Sequence, residues 1–562
     1  MKRVLSLMLS LLLCVCGCGP ATEIARAYLR YDQGTQSLHG YTAFGDMVLS
    51  YPDPDGVTAT LDRALTDIAD ADVPNGIIAV YEAQVQAYNQ LVSATSLAYV
   101  RYCQDITDGQ RKAEYGKLNS ALYAIQNRLA KLEKALMDRW GYHRERGAAY
   151  AEALDRLSRQ STDTVSLRAR EDELCRRYEQ LGKEYRLTYA GRTWSMAELM
   201  GDEDLSLQEF LEALEKFEIG KNEAAGDLFV KLMSLRTQMA QAAGYPSYAA
   251  SQYDAFGRAY TPKQALDAAQ IVKQVFVPLY IRLRERCEND LRYLSGATFL
   301  EGPFLAAMGE AVEQVMPGAG TAWRYMLSYG LYDSQLSEHK MDGSFTTYLA
   351  AYRCPFLFTQ WKGDASSAFT LIHEFGHFLS YYLNPEGTYY GSEDLDLAET
   401  DAQGFELLML REYDSLFGRY ANAARLCFLT NALYAILSGF MEDEFQQRAY
   451  ELLDPTVDDL NRLYGDIAAD YGFDRLFGYE GREWTEIGHT FQFPFYYVSY
   501  GVSMLGAMKL MEDGGRAYGR VVRRKADTSF EEAVGADVLE EKTIRDIAAW
   551  VERTVDDWLD EN

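Results

Sequence analysis

The sequence predicts a mainly α-helical protein, and three observations carry that expectation. Proline is scarce, 13 in 562 residues, and proline is what most often interrupts a helix, because it lacks the donor N–H and clashes with the preceding turn. Tyrosine is abundant at 41, giving many rings with an apolar body and a polar tip that suit helix–helix contacts. Apolar residues recur at helical spacing in long stretches: Tyr81, Val85, Tyr88 and Val92, then Leu118, Leu122, Ile125, Leu129, Leu132 and Leu136. With 48% hydrophobic and 25% charged residues, the chain can bury a sizeable core, and at about 150 residues per domain its length allows several domains or one large helical body.

The amino terminus reads as an export signal. Lys2 and Arg3 precede an apolar stretch from Val4 to Val15 that is short for a bilayer span and right for a secretory leader. It ends in Val15-Cys16-Gly17-Cys18, which resembles a bacterial lipobox. Residues 1–17 are therefore expected to be a signal peptide and Cys18 a lipidated new terminus, with simple cleavage of the leader as the other reading. The predicted location is the outer face of the cytoplasmic membrane or the cell envelope. Residues 18–56, mixing Gly, Asp, Pro and Tyr without period, are expected to be a spacer, and residues 57–190 an all-helical amino-terminal region. No run of 18 or more apolar residues follows the leader.

Charge narrows the partners. Asp plus Glu number 83 against 55 Lys plus Arg, a formal charge of -28, so a nucleic-acid polyanion would be repelled. An anionic chain at an anionic membrane surface needs its lipid anchor rather than its charge to stay there. Cys103, Cys175, Cys287, Cys354 and Cys427 are odd in number and widely spaced, which does not describe a disulfide framework.

Chemistry concentrates in the remaining region, residues 191–562. Gly343 to Trp361, rich in Thr, Tyr and Phe, is the best strand candidate, a short hairpin. Asp364 to Leu383 has polar starters and stops at Asn384-Pro385, so it reads as a helix, and a second helix is expected from about Asp394 to Arg411. The first carries His373-Glu374-Phe375-Gly376-His377. Residues four apart share a helix face, so both imidazoles can reach one ion, and Glu374 stands beside its open side. The ion implied is zinc, one per chain.

A catalytic zinc usually takes three protein ligands and one exchangeable water. Downstream candidates are Glu393, Asp394, Asp396, Glu399, Asp401 and Glu406. Glu399 is preferred because Leu397, Ala398, Phe405 and Leu408 would pack its helix against the first, and Glu406 could support a ligand from behind. Bound zinc lowers the pKa of water to about 7, and a neighbouring carboxylate can take the proton; Glu374 is placed to act as that general base. Farther on, in His489-Thr-Phe-Gln-Phe-Pro-Phe-Tyr496-Tyr497-Val-Ser-Tyr500, the hydroxyls of Tyr497 and Tyr500 could point into one cleft as donors.

Together HEFGH, then AETDAQGFE, then WTEIGHTFQFPFYYVSY resemble the thimet oligopeptidase and oligoendopeptidase F family of zinc metallopeptidases, over about residues 190 to 555. The resemblance implies a two-lobed helical bowl with a deep substrate channel, a small β element beside the zinc helix, and hydrolysis of short peptides. It implies His373, His377 and Glu399 as metal ligands and Glu374 as base. His489, Tyr497 and Tyr500 would contact the substrate and the developing oxyanion, with Tyr496 an alternative to Tyr497. Thr346 to Gln360 is similar to the strand that pairs with the substrate backbone. Ala402 stands where the family often has serine. The competing reading is a peptide-binding lipoprotein that retains the zinc site but turns over little; Glu374 argues against it, since a binder has no need of a residue that activates water.

Overall fold

The computed structural model describes residues 38–146, 151, 154, 158, 162–202, 204–388, 394–512, 514–525 and 528–560. The predicted leader, Cys18 and Glu393 lie outside the described residues. Helices dominate from the start. α1 (Pro54–Asp67) begins with proline at its first position and the Asp53 side chain accepting from Gly56 N, a combination that supplies a fixed φ and satisfies a free donor. α2 (Asn75–Gln104) and α3 (Gly109–Trp140) are the two helices whose periodicity was legible; α3 is capped by Asp108 and ends on left-handed Gly141. They bury Tyr81, Val85, Tyr88, Leu118, Ile125, Leu129, Leu132 and Leu136 in a cluster of their own with Val57 and Leu61 of α1.

The predicted amino-terminal region is not self-contained. The last turns of α2 place Leu97, Val100 and Cys103 in the main core. α4 (Thr162–Glu184) packs on α5 (Leu207–Ala242), and its Tyr178 ring stacks on Phe491 at 3.8 Å while its hydroxyl donates to Thr485 O at 3.0 Å. A small hairpin, β1 (Leu187–Tyr189) and β2 (Arg192–Trp194), connects the two helices.

The expected spacer also departs from its reading, because residues 38–53 are laid onto the body. His39 stacks on Tyr382 at 4.0 Å, Phe44 packs on Phe356 at 4.2 Å, and Gly40 N donates to Arg353 O at 3.1 Å. A side chain at Gly40 would collide with Tyr352 O. These contacts join residues some 300 positions apart, which no local pattern can announce.

The body is built on α6 (Pro262–Arg286), α7 (Glu301–Val315), α8 (Ala319–Ser328), α9 (Ala365–Leu383), α10 (Leu395–Met409), α11 (Ala421–Glu451), α12 (Val457–Asp470), α13 (Val498–Met511) and α14 (Glu541–Asp560). α11 is buried nearly all round, with α6 and α13 against it, and α10 lies between α9 and α13. The predicted hairpin is present as β4 (Phe345–Leu349) and β5 (Cys354–Phe358), antiparallel, with Phe345 opposite Phe358. A two-residue strand that the sequence did not suggest, β3 (Tyr332–Asp333), pairs parallel with β5 and completes the order β3-β5-β4. The sheet packs on α9, which fixes the strand beside the helix that carries the chemistry. The five body cysteines are all free.

Candidate metal centre

α9 and α10 form where their caps predict. Asp364 accepts from Ser367 N at 2.8 Å, and Asp394 accepts from Asp396 N at 2.9 Å, so each helix start satisfies one of its orphan donors. α9 buries Phe375 and Phe378 completely, each contributing about 1.5–3 kcal/mol of transfer free energy. The glycine of HEFGH does the rest. A Cβ on Gly376 would lie 2.7 Å from Ala402 Cα and 3.1 Å from Ala402 O, so its absence lets α10 approach at backbone contact. Ala402 is buried at that crossing, where a larger side chain would have to displace α9.

This close crossing brings Glu399, three residues before Ala402, onto the two histidines. Glu399 Oε2 is 3.6 Å from His373 Nε2 and 4.0 Å from His377 Nε2, and the rings of His373 and His377 stand 4.9 Å apart at 85°. One ligand atom from each of the three lies within 4.8 Å of the others. His373 has 21% of its side chain exposed and His377 only 4%, so the cleft opens on the His373 side.

The surroundings orient this set. His373 Nδ1 pairs with Glu406 Oε2 at 3.1 Å, which leaves Nε2 for the centre and fixes the ring. Tyr496 OH donates to Glu399 Oε1 at 2.8 Å. Glu399 Oε2, by contrast, is buried and has no hydrogen-bond partner, the mark of an acceptor reserved for another group. Burial alone would hold His373 neutral, but Glu406, Glu399 and Glu374 outweigh it and push its pKa up to about 10. Burial raises Glu399 as well, and burial together with His373 drives His377 well below the usual imidazole value. With three carboxylates around two imidazoles in a buried pocket, negative charge is in excess, and a divalent cation is what this donor set fits.

The remaining candidates have other partners. Asp394 is the α10 cap, Asp396 accepts from Tyr260 OH at 2.8 Å, and Asp401 pairs with Arg524 at 2.6 Å. Glu374 is 3% exposed, and burial raises its pKa to about 7 against the opposing pull of His373 and Thr346. Thr346 Oγ1 of β4 donates to Glu374 Oε2 at 2.8 Å and approaches Glu374 O at 2.9 Å. That strand therefore aims the carboxylate, a role that composition did not reveal.

A cleft is lined by His373, Glu374, Gln403, Glu406 and Tyr500, with Phe369, Phe428, Tyr434 and Met504 supplying apolar wall. His489 lies in a short helix, Gly488–Gln492, and burial lowers its pKa to about 4. Its ring contacts Tyr496, Tyr497 and Tyr500 at centroid distances of 5.5, 5.1 and 6.0 Å. Of the predicted residues, His373, His377 and Glu399 meet at one point with Glu374 beside them on the cleft, and His489 and the tyrosines form a cluster against them. Tyr496 touches the ligand set directly, Tyr500 lines the cleft, and Tyr497, immediately before α13, packs on His489. The turn between His489 and these tyrosines contains Phe495 at φ +65, a left-handed conformation that costs a bulky residue about 1–3 kcal/mol.

This is a mainly helical protein with a His-His-Glu group beside a small sheet, and known proteins share its fold. No protein-family model matches the chain. Oligopeptidase PepF of Bacillus subtilis (strain 168) is 26% identical over 230 residues, a match that spans 37% of this chain and 31% of that relative. A candidate oligoendopeptidase F superposes with a TM-score of 0.73 at 19% identity, covering 92% of this chain and 99% of the other. PZ peptidase A, solved with an inhibitor, gives 0.69 at 20% identity over 92% and 100% of the two chains. Sequence and fold together bear out the resemblance to oligoendopeptidase F.

Proposed function

We propose that this protein is a zinc-dependent oligoendopeptidase that hydrolyses short peptides. The single observation that carries the reading is the donor set His373, His377 and Glu399 with Glu374 beside it on the cleft. Ligand atoms at the usual zinc distances of 2.0–2.2 Å lie about 3.4 Å apart around a tetrahedral ion, close to the 3.6 and 4.0 Å seen here. Held by these three residues, zinc would supply a Lewis acid and a water acidic enough to ionise near neutral pH.

The chain's own residues do the remaining work. Glu374, steadied by Thr346, can take a proton at one carboxylate oxygen and return it to the leaving amine. Tyr500, in the cleft wall, and Tyr497, against it, offer hydroxyl donors to the oxygen on which negative charge develops, with His489 packed on their rings, while Tyr496 keeps its proton on Glu399. The outer edge of β4, which among the described residues pairs with no strand but β5, suits an extended peptide backbone. The sequence likeness to an oligopeptidase, together with its fold, supports peptides as the substrate class.

The leader and the Cys18 lipobox support a further part of the proposal, that the enzyme works outside the cytoplasm on a lipid anchor; labelled fatty acid should be incorporated by the wild type and not by Cys18→Ser. Quenched fluorescent peptides of graded length test the activity. Chelator-sensitive cleavage confined to short peptides is expected, and efficient digestion of a folded protein would contradict it.

A further inference from the structure

The turn that carries the tyrosines has little local support. Between Ile487 and Tyr497 the only regular element is the five-residue helix Gly488–Gln492, and the segment closes through left-handed Phe495. Two buried arginines, remote in sequence, take its backbone carbonyls. Arg236 of α5 donates to Phe491 O and is paired with Glu171 at 2.6 Å. Arg258, which precedes α6, donates through Nη2 to Phe495 O at 2.7 Å and to Ser499 Oγ at 2.7 Å. Gln446 of α11 accepts from Phe495 N at 2.8 Å, so both polar groups of the left-handed residue are held from outside.

Arg258 is an expensive way to hold a carbonyl. Its side chain is fully buried, over the rings of Tyr253 and Phe256 at 4.5 and 5.1 Å. Its Nε and Nη1 have no hydrogen-bond partner, and neither does Asp396 Oδ1, 3.9 Å from Nε. An incompletely paired buried charge disfavours the fold unless its position serves something else. What it adjoins is informative: Asp396 sits on α10 three residues before Glu399, and Phe495 directly precedes Tyr496, whose hydroxyl is on Glu399.

We propose that Arg258 is a positioning residue that locks the left-handed turn at Phe495 and holds Tyr496 in register with Glu399. Its link to metal affinity rests on the reading of the site as a metal centre; its effect on the turn does not. Arg258→Met keeps the length and removes the donors. In the folded full chain, amide hydrogen exchange over residues 493–498 should quicken by about tenfold or more while α9 is unaffected. By chelator competition, Tyr496→Phe and Arg258→Met should each weaken zinc binding, and the double variant should be no weaker than the worse single one, the signature of a shared path. Turnover of short peptides should fall in kcat with KM nearly unchanged, and Arg258→Lys should recover part of it. Should Arg258→Met fail to fold, Arg258→Lys and Ser499→Ala carry the same exchange measurement at smaller size. Unchanged exchange at 493–498, or strictly additive losses of zinc affinity, would overturn the proposal. A wild-type chain that cuts no peptide would refute the peptidase reading and leave the exchange result to judge Arg258.

Discussion

The two halves of the centre are built in opposite ways. On the α9–α10 side the three ligand residues are placed by contacts that are local or between neighbouring helices: a spacing of four sets the histidines, a cap starts each helix, and Gly376 on Ala402 sets their approach. On the His489–Tyr500 side the geometry belongs to residues elsewhere, with Arg236, Arg258 and Gln446 holding a strained turn by its backbone. The first half can be read by counting. The second can be read only once the chain has folded, because a carbonyl held by an arginine more than 200 residues away leaves no periodicity in the sequence.

Substitutions on the two sides should therefore fail differently, and the largest failure belongs to the local half. Glu374→Gln should bind zinc normally and lose about 10²–10⁴ in turnover, the range for a general base; metal analysis alongside kcat checks both parts. Tyr500→Phe, on the other half, should cost up to about 10² in kcat with zinc content unchanged, as for loss of one donor to a developing oxyanion, and unchanged kinetics would return it to packing. Glu406→Gln should leave the fold intact and weaken zinc about 10–100-fold, measured by chelator competition, since it removes the partner of His373 Nδ1. The smallest effect is on stability: Gly376→Ala should cost about 1–3 kcal/mol by forcing α9 and α10 apart, read by denaturant unfolding, and zinc affinity should fall with it because Glu399 moves away. A stable Gly376→Ala with full affinity would mean that the crossing does not set the ligand distance.

The same contrast explains what the sequence disclosed. The helices, the hairpin at 345–358, the two histidines and Glu399 were legible because caps and periods of two and 3.6 are written locally. Thr346 was placed in the right segment, yet its bond to Glu374 was not foreseen, because strand-to-helix register is a tertiary fact. Tyr496 and Tyr497 could not be ranked by spacing, since the turn before α13 departs from helical geometry at Phe495. Residues 38–53 read as a spacer because their anchors, Tyr382, Arg353 and Phe356, are supplied from some 300 positions downstream. The partnerless acceptor Glu399 Oε2 is likewise a property of the folded site that no residue count contains.

The most direct test of the central claim is a zinc titration of metal-stripped protein, with cleavage of a short quenched peptide followed in the same samples. A zinc peptidase with Glu374 as its base should give a rate that is negligible without metal, rises to a plateau at one equivalent per chain, and stays negligible throughout for Glu374→Gln although it binds the same equivalent. Cleavage by the stripped protein, or full activity in Glu374→Gln, would contradict it.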